Sequence, residues 1–268
     1  MNARPLISIV TISFNQVEYL NKCLGSIINQ LDSDVEYIVV DPGSTDGSRE
    51  LIESYGDKIK RVFMPDKGPA DGLNNGFKVA SGQYFYFINS DDMLLPNAIS
   101  EMKSAIQNSV KKYDVYCFGG YMIDAKSRNL RPLRTFNYSS SNFCRGGTSI
   151  FQQGLLFSSI KYIEAGGFDI NNRTCWDARL MFDLATNGAS FCDVNKKIAC
   201  FRIHDKSITG SANNLVENQK NKDKMFEECI GRSRNNLDIF VYNILRFKKY
   251  LYVQYSFETL MLKLKKRG

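Results

Sequence analysis

Three stretches of polar residues each follow a short apolar run: Ser13-Phe14-Asn15, Asp41 with Gly43-Ser44-Thr45-Asp46-Gly47 behind it, and Asn89-Ser90-Asp91-Asp92. An aspartate at such a point can accept a hydrogen bond from a base N–H or a ribose hydroxyl. Two adjacent carboxylates after a buried strand are costly unless something cationic pairs with them. A hard divalent cation carrying substrate phosphates is one solution. Capping of the next turn is another, and the spacing of Asp91 and Asp92 leaves both open. Asp177 opens a helical pattern, with Leu180, Met181 and Leu184 within about 60° of it around the helix. A carboxylate on the inward face of a first turn is either an N-cap or a held functional group. The helix dipole favours its ionised form, which a general base needs. His204 is the only histidine, and a lone histidine after an apolar strand reads by itself as structural.

The elements that must hold these residues alternate strand and helix. Leu6 to Phe14, Val35 to Asp41, Ile59 to Met64 and Tyr84 to Asn89 read as strands. Tyr19 to Gln30, the stretch after Gly47 through Tyr55, Ala70 to Ala80 and the residues after Pro96 read as helices. This alternation predicts an α/β fold with a mostly parallel sheet covered on both faces. Ligands of such sheets bind at the carboxyl ends of the strands, where the three polar stretches lie. Beyond residue 112 the pattern loosens. One strand is predicted within Tyr113 to Ile123, a polar glycine-containing loop at Ser139 to Gly147, a helix at Trp176 to Asn187 and a strand at Lys197 to Ile203. The stretches 120–150 and 205–236 carry no readable signature.

Composition narrows the class. Of 268 residues 43% are hydrophobic and 24% charged, which suits a globular chain with its own core rather than disorder. The seven cysteines are scattered without CxxC spacing, and with one histidine they argue against a Cys/His zinc site and for a reducing cytoplasm. The N-terminal apolar run is too short for a signal-peptide core, and no stretch of about 18–20 apolar residues predicts a membrane span. The net charge of +7 fits anionic partners. Clustering of the basic residues in one apolar-rich tail counts against nucleic acid.

Taken in order, Ser-Phe-Asn at 13–15, Val-Asp-Pro-Gly-Ser-Thr-Asp-Gly-Ser at 40–48, Pro-Asp-Lys-Gly at 65–68 with Asp71 and Asn74, and Asn-Ser-Asp-Asp at 89–92 resemble the nucleotide-sugar half of family 2 glycosyltransferases of the GT-A fold. A second block is also similar: Gly166-Gly167-Phe168-Asp169, Asp177 opening a helix, and Phe201-Arg202-Ile203-His204-Asp205. No glycine-rich GxGxxG follows the first strand, which counts against a dinucleotide-binding enzyme. The resemblance implies that Asp41 binds the nucleotide base, with Ser13, Phe14, Asn15 and Ser44 beside it. Asp66, Asp71 and Asn74 would lie near ribose and donor sugar, with Lys67 also among the nucleotide-sugar-binding residues. Asn89-Ser90-Asp91 aligns with the family's DXD motif, with Asn in the first position, so one charge is missing. The implied metal positions are Asp91 and His204, with Asp92 beside them, and the ion is Mn²⁺ or Mg²⁺. Asp177 matches the catalytic base, with Trp176 where the family often carries Glu. The implied activity is inverting transfer of a sugar from a nucleoside diphosphate, UDP by family analogy, to a glycan or lipid-linked glycan in cell-surface polysaccharide synthesis. Lys67 or Arg202 would stand near the departing diphosphate. Asn89 and Trp176 keep open a non-catalytic nucleotide-sugar-binding or membrane-associated scaffold protein.

These readings divide the chain into a catalytic domain over 1–235, with a nucleotide-sugar half (1–112) and an acceptor half (113–235), and a basic helical segment over 236–268. Residues 237–268 hold seven Lys or Arg against two acidic residues, five of the seven net positive charges. Leu237, Phe240, Val241, Ile244, Leu245 and Lys248 fall on one helical stripe. That stripe either packs on the core or lies on an anionic membrane face. The second reading fits a lipid-linked acceptor at the inner leaflet.

Overall fold

The computed structural model describes residues 4–205 and 212–250. The apolar runs do form a parallel sheet. Strand β1 (Ile7–Ile12) lies between β2 (Val35–Val40) and β4 (Tyr84–Asn89), parallel to both, and β3 (Lys60–Val62) extends it beyond β2. Near-continuous apolar strands suit a sheet buried on both sides. Helices α1 (Val17–Ile28) and α4 (Ala98–Asn108) cover one face through Leu20, Leu24, Ile99 and Met102. Helices α2 (Ser48–Ser54) and α3 (Pro69–Lys78) follow the second and third strands. Leu73 and Phe77 of α3 join the core of the opposite face. Gly76 lets α3 approach, since a Cβ there would come within 2.5 Å of Val10 Cγ1.

The sheet then departs from a simple alternation. Among the described residues its order is β3-β2-β1-β4-β8-β6-β9-β5, where β5 is Met93–Leu94, β6 Val115–Asp124, β8 Leu155–Ser158 and β9 Phe191–Ile203. Strand β8 is antiparallel to both β4 and β6, and β6 runs parallel to β9. A hairpin strand, β7 (Asn129–Arg134), pairs with β6 off this path. None of β5, β7 or β8 is legible as a strand. Two are four residues or shorter, and β7 carries Pro132, which sequence rules exclude from a central strand. Strand β9 begins at Phe191, ahead of the expected Lys197, because its polar start is held by pairing with β6.

The expected loop at 139–147 contains a short helix, α5 (Ser140–Cys144), capped by the Ser139 hydroxyl, which accepts from the Asn142 N–H. Helix α6 (Ser159–Glu164) follows β8, and α7 (Trp176–Thr186) forms where expected. The unread stretch 205–236 contains α8 (Ala212–Ile230), mostly polar, whose buried Met225 and Phe226 pack with Cys144, Cys175, Ala178 and Phe182. Helix α9 (Asn236–Tyr250) divides the expected stripe. Val241, Tyr242 and Leu245 are half-buried, whereas Leu237, Phe240, Ile244 and Phe247 face outward. The rest of the C-terminal segment, with Lys263, Lys265, Lys266 and Arg267, lies outside the described residues. No helix among the described residues is long and apolar enough to cross a membrane.

Candidate functional site

The ends of β1 and β2 meet through paired loops. The fully buried Asp41 accepts at Oδ1 from the N–H groups of Gly43 (2.9 Å) and Ser44 (2.7 Å) and from Arg49 Nε (3.1 Å). Its Oδ2 is buried with no hydrogen-bond partner, and so is Ser13 Oγ. Unsatisfied buried oxygens cost about 1–3 kcal/mol each, so their persistence points to a ligand that satisfies them. Asn15 adopts the left-handed region at φ 51°, which Asn tolerates. Its N–H donates to Ser44 Oγ and its Oδ1 accepts from the Thr45 N–H, both at 2.9 Å, so Asn15 and Ser44 clamp the two loops together. Phe14 is 59% exposed and lines the cavity described below.

The next polar group leads into α3. Asp66 Oδ1 accepts from the Gly68 N–H, and Asp71 Oδ2 from the Lys67 N–H. Burial, and then the charges of Asp71 and Asp41, push the Asp66 carboxyl above its ordinary pKa. Lys67 is exposed. Asn74 is turned away from the cavity. Its amide accepts from the Tyr162 hydroxyl (2.5 Å) and the Phe168 N–H (2.9 Å), and donates to the Phe168 carbonyl (2.9 Å). It locks the Gly166-Gly167-Phe168 turn onto α3.

At the end of β4 the two carboxylates separate. Asp91 Oδ2 lies 3.0 Å from His204 Nε2, and the His204 ring packs against Tyr19. Asp92 is fully buried and turned inward. Its Oδ1 accepts from the Arg202 N–H (2.8 Å) and its Oδ2 from Gln153 Nε2 (2.6 Å). Burial and the neighbouring Asp91 push its carboxyl well above the ordinary range. The expectation that Asp92 stands with the metal positions therefore does not fit the geometry: its oxygens hold the turn. The same contacts give Asn89 a reason. Its Nδ2 lies 3.4 Å from Asp92 Oδ2 and 3.3 Å from Gln152 Oε1, a donor where a carboxylate would meet another carboxylate.

Arg202, expected near the diphosphate, is also fully buried. Nε donates to the Asp91 carbonyl (2.7 Å), and Nη1 to the carbonyls of Asp124 (3.1 Å) and Ala125 (3.2 Å) and to Ser127 Oγ (2.9 Å). It fixes the Asp91-Asp92 turn to the β6–β7 hairpin. Arg202→Leu removes these side-chain donors and leaves the Asp91 and Asp124 carbonyls without them, while the backbone N–H to Asp92 stays. The variant is expected to lose about 2–4 kcal/mol of unfolding free energy, measured as a lower urea midpoint. An unchanged midpoint would mean the turn stands without it.

Asp91 and His204 fit a divalent cation. A carboxylate oxygen and an imidazole nitrogen 3.0 Å apart can point at one ion, and oxygen with one nitrogen suits Mn²⁺ as well as Mg²⁺. Among the described residues no cluster of three or more His, Cys, Asp or Glu side chains could hold a metal, so diphosphate oxygens and water would complete this shell.

The opposite wall comes from the start of α7. Ser13, Phe14, Asp66, Asn89, Ser90, Asp91 and Asp177 line one cavity of about 1000 Å³, with Arg131, Gln152, Gln153, Arg173 and Trp176. A volume of this size is ample for a small-molecule ligand. Burial raises the Asp177 pKa, while the N–H groups of Ala178 and of Asp177 itself, and the charge of Lys222, oppose the rise. The preceding loop is tied down by hydrogen bonds. Asn172 Oδ1 accepts from the Thr174 and Cys175 N–H groups, and Asn221 of α8 donates to Asn172 Oδ1 (3.2 Å) and Thr174 Oγ1 (3.0 Å). Trp176 packs on Phe87 and Phe168, which sets the angle of the helix.

Sequence reasoning missed Arg49, Arg131, Arg173, Gln152 and Gln153. Only Arg49 carried a signal: a cation in the first turn of α2 opposes the helix dipole and calls for an acid partner. The two glutamines lie in a 3-10 turn with no pattern of its own.

The profile described as Glycosyl transferase family 2 matches residues 8–168. An uncharacterized glycosyltransferase of Rickettsia typhi is 31% identical over 220 residues, 80% of this chain and 69% of the relative. TuaG of Bacillus subtilis, named for teichuronic acid biosynthesis, is 26% identical over 219 residues, 78% of this chain and 84% of that protein. Among solved structures, S. aureus TarS 1–349 in complex with UDP superimposes with a TM-score of 0.65 at 16% identity, covering 92% of this chain and 72% of that one. The mannosyltransferase PcManGT of Pyrobaculum calidifontis, in complex with GDP-Man and Mn²⁺, gives 0.61 at 15% identity, covering 98% and 74%. At these identities the structural likeness is one of fold.

Proposed function

The chain belongs to glycosyl transferase family 2, and from that premise we propose that it moves a sugar, with inversion, from a nucleoside diphosphate to a hydroxyl of a glycan or lipid-linked glycan. The observation that carries this reading is one cavity with Ser13, Asp91 and Asp177 on its wall, His204 paired with Asp91, and buried oxygens without partners at Ser13 and at Asp41, the residue before the lining Pro42. Asp41 Oδ2 and Ser13 Oγ suit the N–H and polar edge of a base. Phe14, exposed at the rim, offers a face for the base to stack on. Asp66, whose raised pKa marks a crowded acidic corner, suits ribose or sugar hydroxyls. UDP is the favoured nucleotide by analogy with the TarS complex. The named role of TuaG supports a cell-surface polysaccharide as product. All seven cysteines are free, which suits a reaction in the cytoplasm.

In the proposed reaction Asp177 takes the proton of the acceptor hydroxyl. The hydroxyl oxygen bonds to the anomeric carbon as the bond from that carbon to the diphosphate oxygen breaks, and the electron pair leaves with the diphosphate. One carboxylate on the acceptor wall suffices, because no bond forms between sugar and protein. A divalent cation at Asp91 and His204 would neutralise the departing diphosphate's charge. Trp176 and the Asn172 loop keep Asp177 in place, and Arg202 keeps Asp91 in place.

Thermal denaturation with UDP, GDP, TDP and their sugars, with and without Mn²⁺, tests the donor site. A ligand at a hundredfold excess over its Kd should raise the melting temperature by about 5–10 °C. A shift selective for one base and enhanced by Mn²⁺ is expected. No shift with any nucleotide would end the reading of an active transferase.

A further inference from the structure

We propose that the outward apolar face of α9 docks the protein on an anionic lipid bilayer. Leu237, Phe240, Ile244 and Phe247 are 66%, 62%, 41% and 63% exposed. Their spacing gathers them within about 80° of arc on the helix. A contiguous apolar stripe of this kind on a soluble surface marks an interaction site. The back of the helix is already committed. Tyr242 packs closely on Gly146, which adopts the left-handed φ of 81°, and Arg234 lies over Tyr242 while donating to Asp223 and to the Cys144 carbonyl. The helix is thus anchored with its apolar stripe outward.

Charge decides the partner. Arg246 and Lys248 are exposed on the same helix, and 237–268 carries five of the chain's seven net positive charges. Phenylalanines with flanking Lys and Arg insert at the headgroup boundary and draw on anionic lipid. A second copy of this chain would bring like charge against like charge. The docking stands independently of catalysis. One corollary rests on the proposed transfer: α8, joined to α9 through 231–235, holds the Asn172–Thr174 loop, so a bilayer on α9 adjoins the acceptor side of the cavity and suits a lipid-linked acceptor.

Co-sedimentation of the full chain with phosphatidylcholine vesicles, with and without phosphatidylglycerol, tests the proposal. Pelleting is expected with the anionic vesicles and to weaken as salt is raised. Phe240→Ser and Phe247→Ser should each lower the partition coefficient about tenfold, and Arg246→Glu with Lys248→Glu should remove the preference for phosphatidylglycerol. Both phenylalanines are exposed, so the variants should keep the native melting temperature and the same nucleotide-induced shift, which separates failure of docking from failure of the donor site. No pelleting of the native chain overturns the proposal. So does unchanged pelleting of the double phenylalanine variant, or sedimentation showing a dimer that these substitutions dissolve while vesicle binding persists.

Discussion

Asp177→Asn is expected to lower kcat for sugar transfer by about 10²–10⁴-fold while leaving donor affinity unchanged. The amide keeps the size of the carboxylate, so the first turn of α7 and the packing of Trp176 on Phe87 and Phe168 should persist. What is lost is the ability to take a proton. Burial raises the Asp177 pKa, which makes the ionised form a stronger base than an exposed aspartate. The sign of the pH dependence follows. Below the raised pKa the carboxyl is protonated and cannot act, so the rate falls with acid, and the acidic limb of the kcat profile lies above the ordinary carboxylate range. Asp177→Asn should have no such limb. A variant with the native rate, or one with the native acidic limb, would remove Asp177 from the base role.

The second large effect is expected at the other wall. Asp91→Asn and His204→Ala should each lower turnover by about 10²–10³-fold, the loss typical of removing a group that stabilises developing charge. Unlike Asp177→Asn, both should also weaken donor binding in Mn²⁺ and raise the Mn²⁺ concentration needed for half-maximal rate. Asp91 and His204 are held by separate elements, the turn after β4 and the end of β9, and meet at 3.0 Å. Removing either leaves the other in place, so both single variants should fold and still give a small nucleotide shift without metal. Native activity that survives complete chelation would overturn the metal assignment while leaving the base assignment intact.

These two sites differ in how far they could be read in advance. The parallel strands and their polar ends were legible because a buried strand must be a continuous apolar run and its end must be polar where it meets solvent. Asp41, Asp91 and Asp177 stood at such ends or on an inward helix face. The inward turn of Asp92 was not legible. Two adjacent aspartates look alike in sequence, and only Arg202 and Gln153, distant along the chain, determine which one is drawn into the core. The contacts of Asn74 were not legible for a similar reason: its hydrogen bonds go to Tyr162 and Phe168, nearly a hundred residues away.

The sequence by itself determined the α/β class, the strand ends that carry the polar groups, the start of α7 with Asp177 inward and the family. These follow from local periodicity and ordered motifs, which need only neighbours along the chain. The tertiary structure alone decided the antiparallel β8 wedged between β4 and β6, which acid partners Arg49, the roles of Gln152 and Gln153, and which half of the α9 stripe is covered. Each depends on long-range pairing: a short strand is stabilised by the strands beside it, a buried charge by a distant partner, and a helix face by whatever surface the rest of the fold presents to it.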